Sequence, residues 1–341
     1  MPDVSIKEVA HLAGVSIATV SRCINSPDKV TEKTRLKVQK AIDQTGYSPN
    51  TLAQSFRRGR TNLVMVVLPL VGDPFFSAVM RGIRTAAETK GYSVVIDETQ
   101  LNTMTADEIG AMLVSRQTDG IILLASMSPF GTDLLSAKSQ RRLPIVIGCE
   151  TIAPELAEFP SVHIDNVGAA KEATNYLISQ GHEKIAMICG LQKSLLTKDR
   201  ELGYRAAMKT ASLPVDEDWV LEGQLTISGS RDATVKLLKL ANRPTAVFCA
   251  NDEMAIGCLH EVKSAGLSVP DDISVIGFDD IRYAEVTDPP LTTISQPGEE
   301  IGERVMYRLC RLIEEGPESN NEPEIVGHKL IIRQSVAKVK V

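Results

Sequence analysis

The sequence predicts an α/β chain: a small all-α head, then a larger body of two doubly wound parallel sheets. Three observations predict it. The first sixty residues place apolar side chains at helical spacing and hold no strand-like run. From Asn62 onward, short apolar runs alternate with amphipathic stretches of helical period, the grammar of a parallel sheet covered on both faces. That alternation runs once to about Gly148 and restarts near Val162, so the body is bilobed. A chain of 341 residues is long enough for two or three domains with large cores.

In the head, Ile6, Val9, Ala10 and Ala13 line one face of a short helix, and Gly14 ends it. Ser16 is an N-cap for a second helix, which Thr19 and Val20 carry on. A small residue at Ala10, a turn glycine at Gly14 and an apolar Val20 make the helix-turn-helix spacing. A third helix runs from about Glu32 to Thr45, with Val38, Ala41 and Ile42 inward, Lys33, Arg35, Lys37 and Lys40 outward, and Gly46 closing it. A three-helix bundle with no nucleic-acid partner would share this pattern, and charge separates the two readings. Residues 1–60 hold ten Lys and Arg against five Asp and Glu, a net +5. The whole chain is −6, which leaves −11 on the rest. A basic head on an acidic body is the asymmetry of a DNA binder whose body must not adhere to DNA.

Pro49 cannot extend the third helix, and Asn50 is a fair cap for a new one. Residues 51–57 make about two turns, too short to be stable alone, and read as a hinge that folds on DNA or on a second copy. Phe56, beside Arg57 and Arg58, reads either as a minor-groove wedge flanked by cations or as a side chain packed on the body.

In the body, strands are expected at Leu63–Leu68, Tyr92–Ile96, Gly120–Leu124 and Pro144–Gly148, with helices at Phe76–Lys90 and Thr105–Arg116. The restart brings strands at Val162–Asp165, Lys184–Cys189, Ala246–Cys249 and Ile273–Gly277. Helices are expected at Gly168–Gln180, Asp199–Ala211, Ser230–Leu240 and Asp252–Ala265. Short extended Leu291–Ile294, a helix from Ile301 to Glu315 and a last strand Lys329–Arg333 follow. Strand ends facing each other across a cleft are where such sheets bind small molecules. Phe75 and Phe76 follow the first strand at its carboxyl end. One reading makes one of them a stacking wall for a base or sugar face; the other seals the lobe with one and packs the second on a dimer helix.

Several function classes are disfavoured. No apolar run approaches the ~18 residues of a membrane span, and the N-terminus shows no export-type signal, so a cytoplasmic location is expected and no membrane partner. The six cysteines form no Cys-x-x-Cys pair and the five histidines show no ligand spacing, so neither a metal nor a cofactor is expected. Without a glycine-rich phosphate loop, a nucleophile elbow or a ligand cluster, the chain does not read as an enzyme.

With head, hinge and two α/β lobes in that order, the chain resembles the lactose/galactose repressor (LacI/GalR) family. The resemblance covers essentially the whole chain. It is carried in the head by Val15-Ser16, Thr19-Val20-Ser21-Arg22 and Gly46-Tyr47-Ser48-Pro49. In the body it is carried by Asp73-Pro74-Phe75-Phe76, His163-Ile164-Asp165-Asn166, Arg200 with Gly203-Tyr204, and Pro244-Thr245-Ala246-Val247-Phe248. Asn251-Asp252-Glu253-Met254-Ala255, Val269-Pro270-Asp271-Asp272, Ile276-Gly277-Phe278-Asp279-Asp280 and Leu291-Thr292-Thr293-Ile294 complete it. Within the family it is most similar to the nucleoside-responsive, CytR-like branch, with the purine-responsive branch next.

The resemblance implies a body like a periplasmic sugar-binding protein with three crossings between lobes, near Val162, Leu291 and Glu324. The domains are then a head at 1–49, a hinge at 50–61, a first lobe at 62–162 plus 292–323, and a second lobe at 163–291 plus 324–341. It implies a homodimer built along the bodies; tetrameric members carry a C-terminal leucine heptad, which this sequence lacks after its last strand. On DNA, Ile17, Ala18 and Arg22 are expected in the major groove of a near-palindromic operator, Arg22 on guanine and the apolar pair on a thymine methyl. Ser16, Thr19, Ser21, Asn25, Thr31 and Tyr47 are expected on phosphates, and Phe56 with Arg57 at the minor groove. In the cleft, Arg200 is expected as a donor fork and Asp279 as an acceptor, or the two as a salt bridge in the empty site, with Ser126, Asp165 and Asn251 as further candidates beside Phe75 and Phe76. Ser194, Leu196 and Leu225 stand where purine-responsive members have arginine, threonine and phenylalanine, which argues against purine recognition of that type. The function expected is a sequence-specific DNA-binding transcriptional repressor whose operator affinity is set by a nucleoside or sugar-like effector. The alternative is a solute-binding or sensor protein with no direct role on DNA, which would need an export signal and no basic head.

Overall fold

The computed structural model describes residues 5–47, 60–98, 108, 111–112, 115–124, 144–150, 159–192, 194–316 and 322–339. The expected hinge helix with Phe56 and Arg57, the cleft candidate Ser126 and most of the expected helix Thr105–Arg116 lie outside them. The chain forms two compact units, Met1–Thr61 and Asn62–Val341.

In the first unit, α1 (Ile6–Ala13), α2 (Ile17–Asn25) and α3 (Glu32–Thr45) close on one small core of Val9, Ala10, Ala13, Val20, Cys23, Val38 and Ala41. The Glu8 carboxylate accepts from the Ser5 N–H at 2.9 Å, occupying one of the donors that a helix N-terminus leaves open. Gly14 sits at φ +65°, the left-handed conformation that lets the chain reverse between α1 and α2. The apolar spacing of α3 works as expected: Val38 and Ala41 are buried, and Lys33, Arg35, Lys37 and Lys40 are exposed.

The second unit holds two six-stranded sheets. The first has the order β11-β5-β4-β3-β1-β2, all parallel: β1 Leu63–Leu68, β2 Ser93–Glu98, β3 Gly120–Leu123, β4 Ile145–Gly148, β5 Ser161–Ile164 and β11 Glu324–Val326. The second has the order β12-β10-β9-β8-β6-β7: β6 Ile185–Cys189, β7 Val220–Glu222, β8 Ala246–Cys249, β9 Ser274–Asp279, β10 Thr292–Ser295 and β12 Lys329–Ile331. Only β12 is antiparallel, paired with β10. Strands β3, β4, β6, β8 and β9 are buried along their whole length, which is why they read as unbroken apolar runs.

The crossings between lobes fall a few residues later than expected. β5 pairs with β4 and β11, so Val162–Ile164 belongs to the first sheet and the chain crosses at Asp165. β10 pairs with β9, so 292–295 stays in the second sheet and the chain crosses at Gln296 and Pro297. β11 lies in the first sheet, so the last crossing comes at Gly327 and His328. An apolar run cannot announce which sheet it joins, because backbone pairing with distant residues decides that.

Six helices flank the sheets among the described residues: α4 Pro74–Lys90, α5 Asn166–Ser179, α6 Leu195–Thr210, α7 Ile227–Lys239, α8 Asp252–Ser264 and α9 Gly298–Glu315. α4 begins two residues before its expected start. Asp73 caps it and Pro74 takes the first helical position, where a missing N–H costs nothing. α9 packs on α4 with backbones nearly touching: a methyl group at Gly82 would collide with the Glu299 carbonyl, and one at Gly302 with that of Val79. Val79, Ile83, Ile301, Val305 and Met306 on these two helices are completely buried, each contributing about 1.5–3 kcal/mol.

Candidate nucleic-acid interface and effector cleft

In the head, α2 divides its residues by helical phase. Val20 and Cys23 turn into the core, while Ser16, Ile17, Ala18 and Arg22 are exposed and Thr19 and Ser21 half-exposed. Ser16 is the N-cap: its Oγ accepts from the Thr19 N–H at 3.1 Å and lies 2.9 Å from the Thr19 Oγ1. Ile17 keeps 44% of its surface exposed. Thr31 is exposed before α3, and Tyr47 packs half-buried against the head core. Asn25 is the last residue of α2, and its side chain lies outside the described residues. The exposed side of α2 therefore carries a guanidinium, three hydroxyls and two apolar groups.

In the body, the carboxyl ends of β1, β4, β8, β9 and β10 gather a buried polar cluster. Its centre is Arg200, on α6 and 2% exposed. Its Nε donates to the Asn166 Oδ1 at 3.2 Å, its Nη1 donates to the Ala250 carbonyl, and its Nη2 lies 3.5 Å from the Asp279 Oδ1. The guanidinium stacks on Phe278, 3.6 Å from the ring centroid. Asp279 ends β9 at φ +110°, and its Oδ1 also accepts from the Gln296 Nε2 at 2.6 Å. An unbroken chain thus runs Asn166, Arg200, Asp279, Gln296, from the first crossing to the second.

Burial dominates the electrostatics. It pushes the Asp279 carboxyl up to about 7; Arg200 pulls the other way, Asp73 adds to the rise, the Gln296 hydrogen bond opposes it, and Glu253 adds to it. Burial also lowers Arg200, against the pull of Asp279, Glu150, Asp252 and Asp73. Both members of the pair shift toward neutrality, because burial outweighs the attraction between them.

Of the sequence candidates, the structure pairs Arg200 with Asp279 and Phe75 with Phe76. Asp73 accepts from the N–H groups of Phe75 and Phe76 at 2.7 and 3.2 Å, and its charge acts on Arg200 from the first lobe. The two rings meet edge to face, 5.4 Å apart. Phe75 is buried and Phe76 half-buried. Asp165 and Asn251 cap helices: Asp165 Oδ1 accepts from the Gly168 N–H at 2.8 Å, and Asn251 Oδ1 from the Met254 N–H at 2.8 Å. Asn166, Gln296 and Asp73 were not among the sequence candidates. A capping signature at Asp73-Pro74 could have found the last; nothing local marks the other two.

Among the described residues no group of His, Cys, Asp and Glu could hold a metal ion, and no helix is long and apolar enough to cross a membrane.

Comparison with known proteins places this geometry. Residues 5–50 match the model of bacterial regulatory proteins of the lacI family, and residues 174–336 match a periplasmic binding protein-like domain. The chain is 40% identical to the HTH-type transcriptional repressor CytR of Escherichia coli over 331 residues, covering 97% of this chain and 96% of that one. It is 34% identical to the repressor PurR of Vibrio parahaemolyticus over 339 residues, covering 98% and 99%. The lac repressor dimer bound to operator and the anti-inducer ONPF superposes with a TM-score of 0.85 at 25% identity, over 98% of this chain and 99% of that one. The chain therefore belongs to the LacI family of bacterial regulatory proteins, CytR-like within it, and is a DNA-binding transcriptional regulator under small-ligand control, not an enzyme.

Proposed function

We propose that this protein is a cytoplasmic, homodimeric repressor that reads a near-palindromic operator through α2 and releases or grips it according to a nucleoside or sugar bound between its lobes. The observation that carries the effector half is the Arg200–Asp279 pair, buried at the strand ends and bonded to both Asn166 and Gln296. On DNA, Arg22 takes guanine O6 and N7 and Ile17 with Ala18 meets a thymine methyl. Ser16, Thr19, Ser21, Asn25 and Tyr47 position the head on phosphates, with Phe56 and Arg57 acting at the minor groove. In the cleft, Asp279 accepts from ligand hydroxyl or N–H groups and Arg200 donates. Phe76 is the stacking wall, since Phe75 is spent on the lobe core; Ser126 is a further contact, while Asp165 and Asn251 shape the site through their caps.

The test pairs a thermal-shift screen of nucleosides, bases and sugars with operator-binding titrations of wild type and Asp279→Ala. The variant is expected to bind operator with wild-type affinity and to lose the effector's influence on it. A variant that still responds normally removes Asp279 from the site.

A further inference from the structure

We infer that Asp252 is a positioning residue of the effector cleft: it fixes the backbone turn that aims Asp279. This rests on the assignment of Asp279 to the cleft and adds the group that acts through it.

Asp279 and Asp280 follow one another with φ of +110° and +57°. Neither is glycine, so the turn after β9 holds a conformation that side chains disfavour, and it persists only where its surroundings over-determine it. The Ile281 N–H, the first past the pair, donates to the Asp252 Oδ2 at 2.8 Å. The Arg333 Nη2 donates to the Asp280 Oδ1 at 2.7 Å, and the Leu291 N–H closes the turn on the Ala284 carbonyl at 2.8 Å. Arg333 and Asp280 are partly exposed, whereas Asp252 is completely buried, so the tie through Asp252 is the one that water does not compete with.

Asp252 is the first residue of α8. Its other oxygen, Oδ1, accepts from the Thr293 hydroxyl of β10 at 2.6 Å. The same oxygen fills the space beside Gly277 on β9, where a methyl group would collide with it. One carboxyl thus seats α8, β9, β10 and the turn against each other. Two residues earlier, the Ala250 carbonyl accepts from the Arg200 Nη1, so residues 250–252 set both members of the Arg200–Asp279 pair. Asp279 meets Arg200 and Gln296 through Oδ1, and a rotation of the turn would carry that oxygen away from both. Burial raises the Asp252 carboxyl well above the usual carboxylate range and the charge of Asp279 adds to the rise; the bonds from Thr293 and Ile281 oppose it. An apolar side chain would avoid that cost but would leave the Ile281 N–H without its acceptor.

The test titrates cytidine, uridine, adenosine, ribose and glucose into the intact wild type, Asp252→Ala, Asp252→Asn and Thr293→Val, and follows amide exchange over residues 278–284. For each compound that binds wild type, Asp252→Ala is expected to weaken binding about tenfold or more, with the protein folded and exchange faster over 278–284 than elsewhere in the second sheet. Asp252→Asn can accept from the Ile281 N–H and donate to the Thr293 hydroxyl, and is expected to recover most of the affinity. Should Asp252→Ala not fold, Thr293→Val, which keeps the shape and removes one bond, is expected to weaken binding about threefold. In an Asp279→Asn background the loss is expected to shrink, because Asp252 acts through that residue; a loss of equal size in both backgrounds overturns the inference. A lower denaturation midpoint with unchanged affinity also overturns it and leaves Asp252 a packing residue. An Asp279→Asn protein that binds as tightly as wild type fails the cleft assignment itself; the inference alone fails when Asp279→Asn binds weakly and Asp252→Ala binds as wild type does. If none of the compounds binds, exchange decides: acceleration confined to 278–284 in Asp252→Ala supports the tie, and acceleration spread evenly over β8, β9 and β10 overturns it.

Discussion

Arg22 stands on the exposed ridge of α2 with Ile17 and Ala18 beside it, so its guanidinium is the long polar group on that ridge able to read a base edge in two places. Arg22→Ala is expected to weaken operator binding by roughly 1–3 kcal/mol while changing nonspecific DNA affinity about twofold at most. Fluorescence anisotropy with operator and scrambled duplexes at matched salt separates the two, and an equal loss on both would reject base readout. At this scale the head was legible in its sequence, because helical phase alone decides which residues of α2 and α3 face in. The cleft was legible only in part. Arg200 and Asp279 stood out through the family resemblance, but Asn166, Arg200, Asp279 and Gln296 are far apart in the chain, and only the sheet topology makes them neighbours. Asp165 and Asn251, polar residues at strand ends that read as ligand groups, also cap the helices that follow them.

Helices and strands were legible in kind, with shifts at their edges. The long buried strands were found in place, whereas β7 and β11, three residues each at sheet positions beside β6 and β5, were not anticipated. Runs that short carry no period to read. The close crossing of α4 and α9 is likewise invisible in either helix alone, since it needs Gly82 and Gly302 to meet across more than two hundred residues. Gly302→Ala is expected to force the two helices apart and to cost about 1–3 kcal/mol, lowering the denaturation midpoint. A variant as stable as wild type would mean that the helices slide without loss.

For the whole molecule, the edge strand β2 and the turn before α4 leave Ile96, Val95 and Val71 exposed at 44%, 38% and 48%. An apolar sheet edge left open invites pairing with another chain. The proposed dimer along the bodies would cover it. Val95→Glu with Ile96→Glu is expected to convert a dimer into a monomer in sedimentation at micromolar concentration, without loss of helix or strand content. A variant that stays dimeric places the interface elsewhere.

The chain of bonds from Asn166 through Arg200 and Asp279 to Gln296 has a mechanical meaning. Its two ends sit on the joints where the chain passes between lobes. A molecule that claims Asp279 competes with the bond that tethers one joint, and one that claims Arg200 competes with the tether of the other. On the proposed cleft assignment the sensor and the axle are made of the same four side chains, so the signal has no distance to travel before it becomes motion.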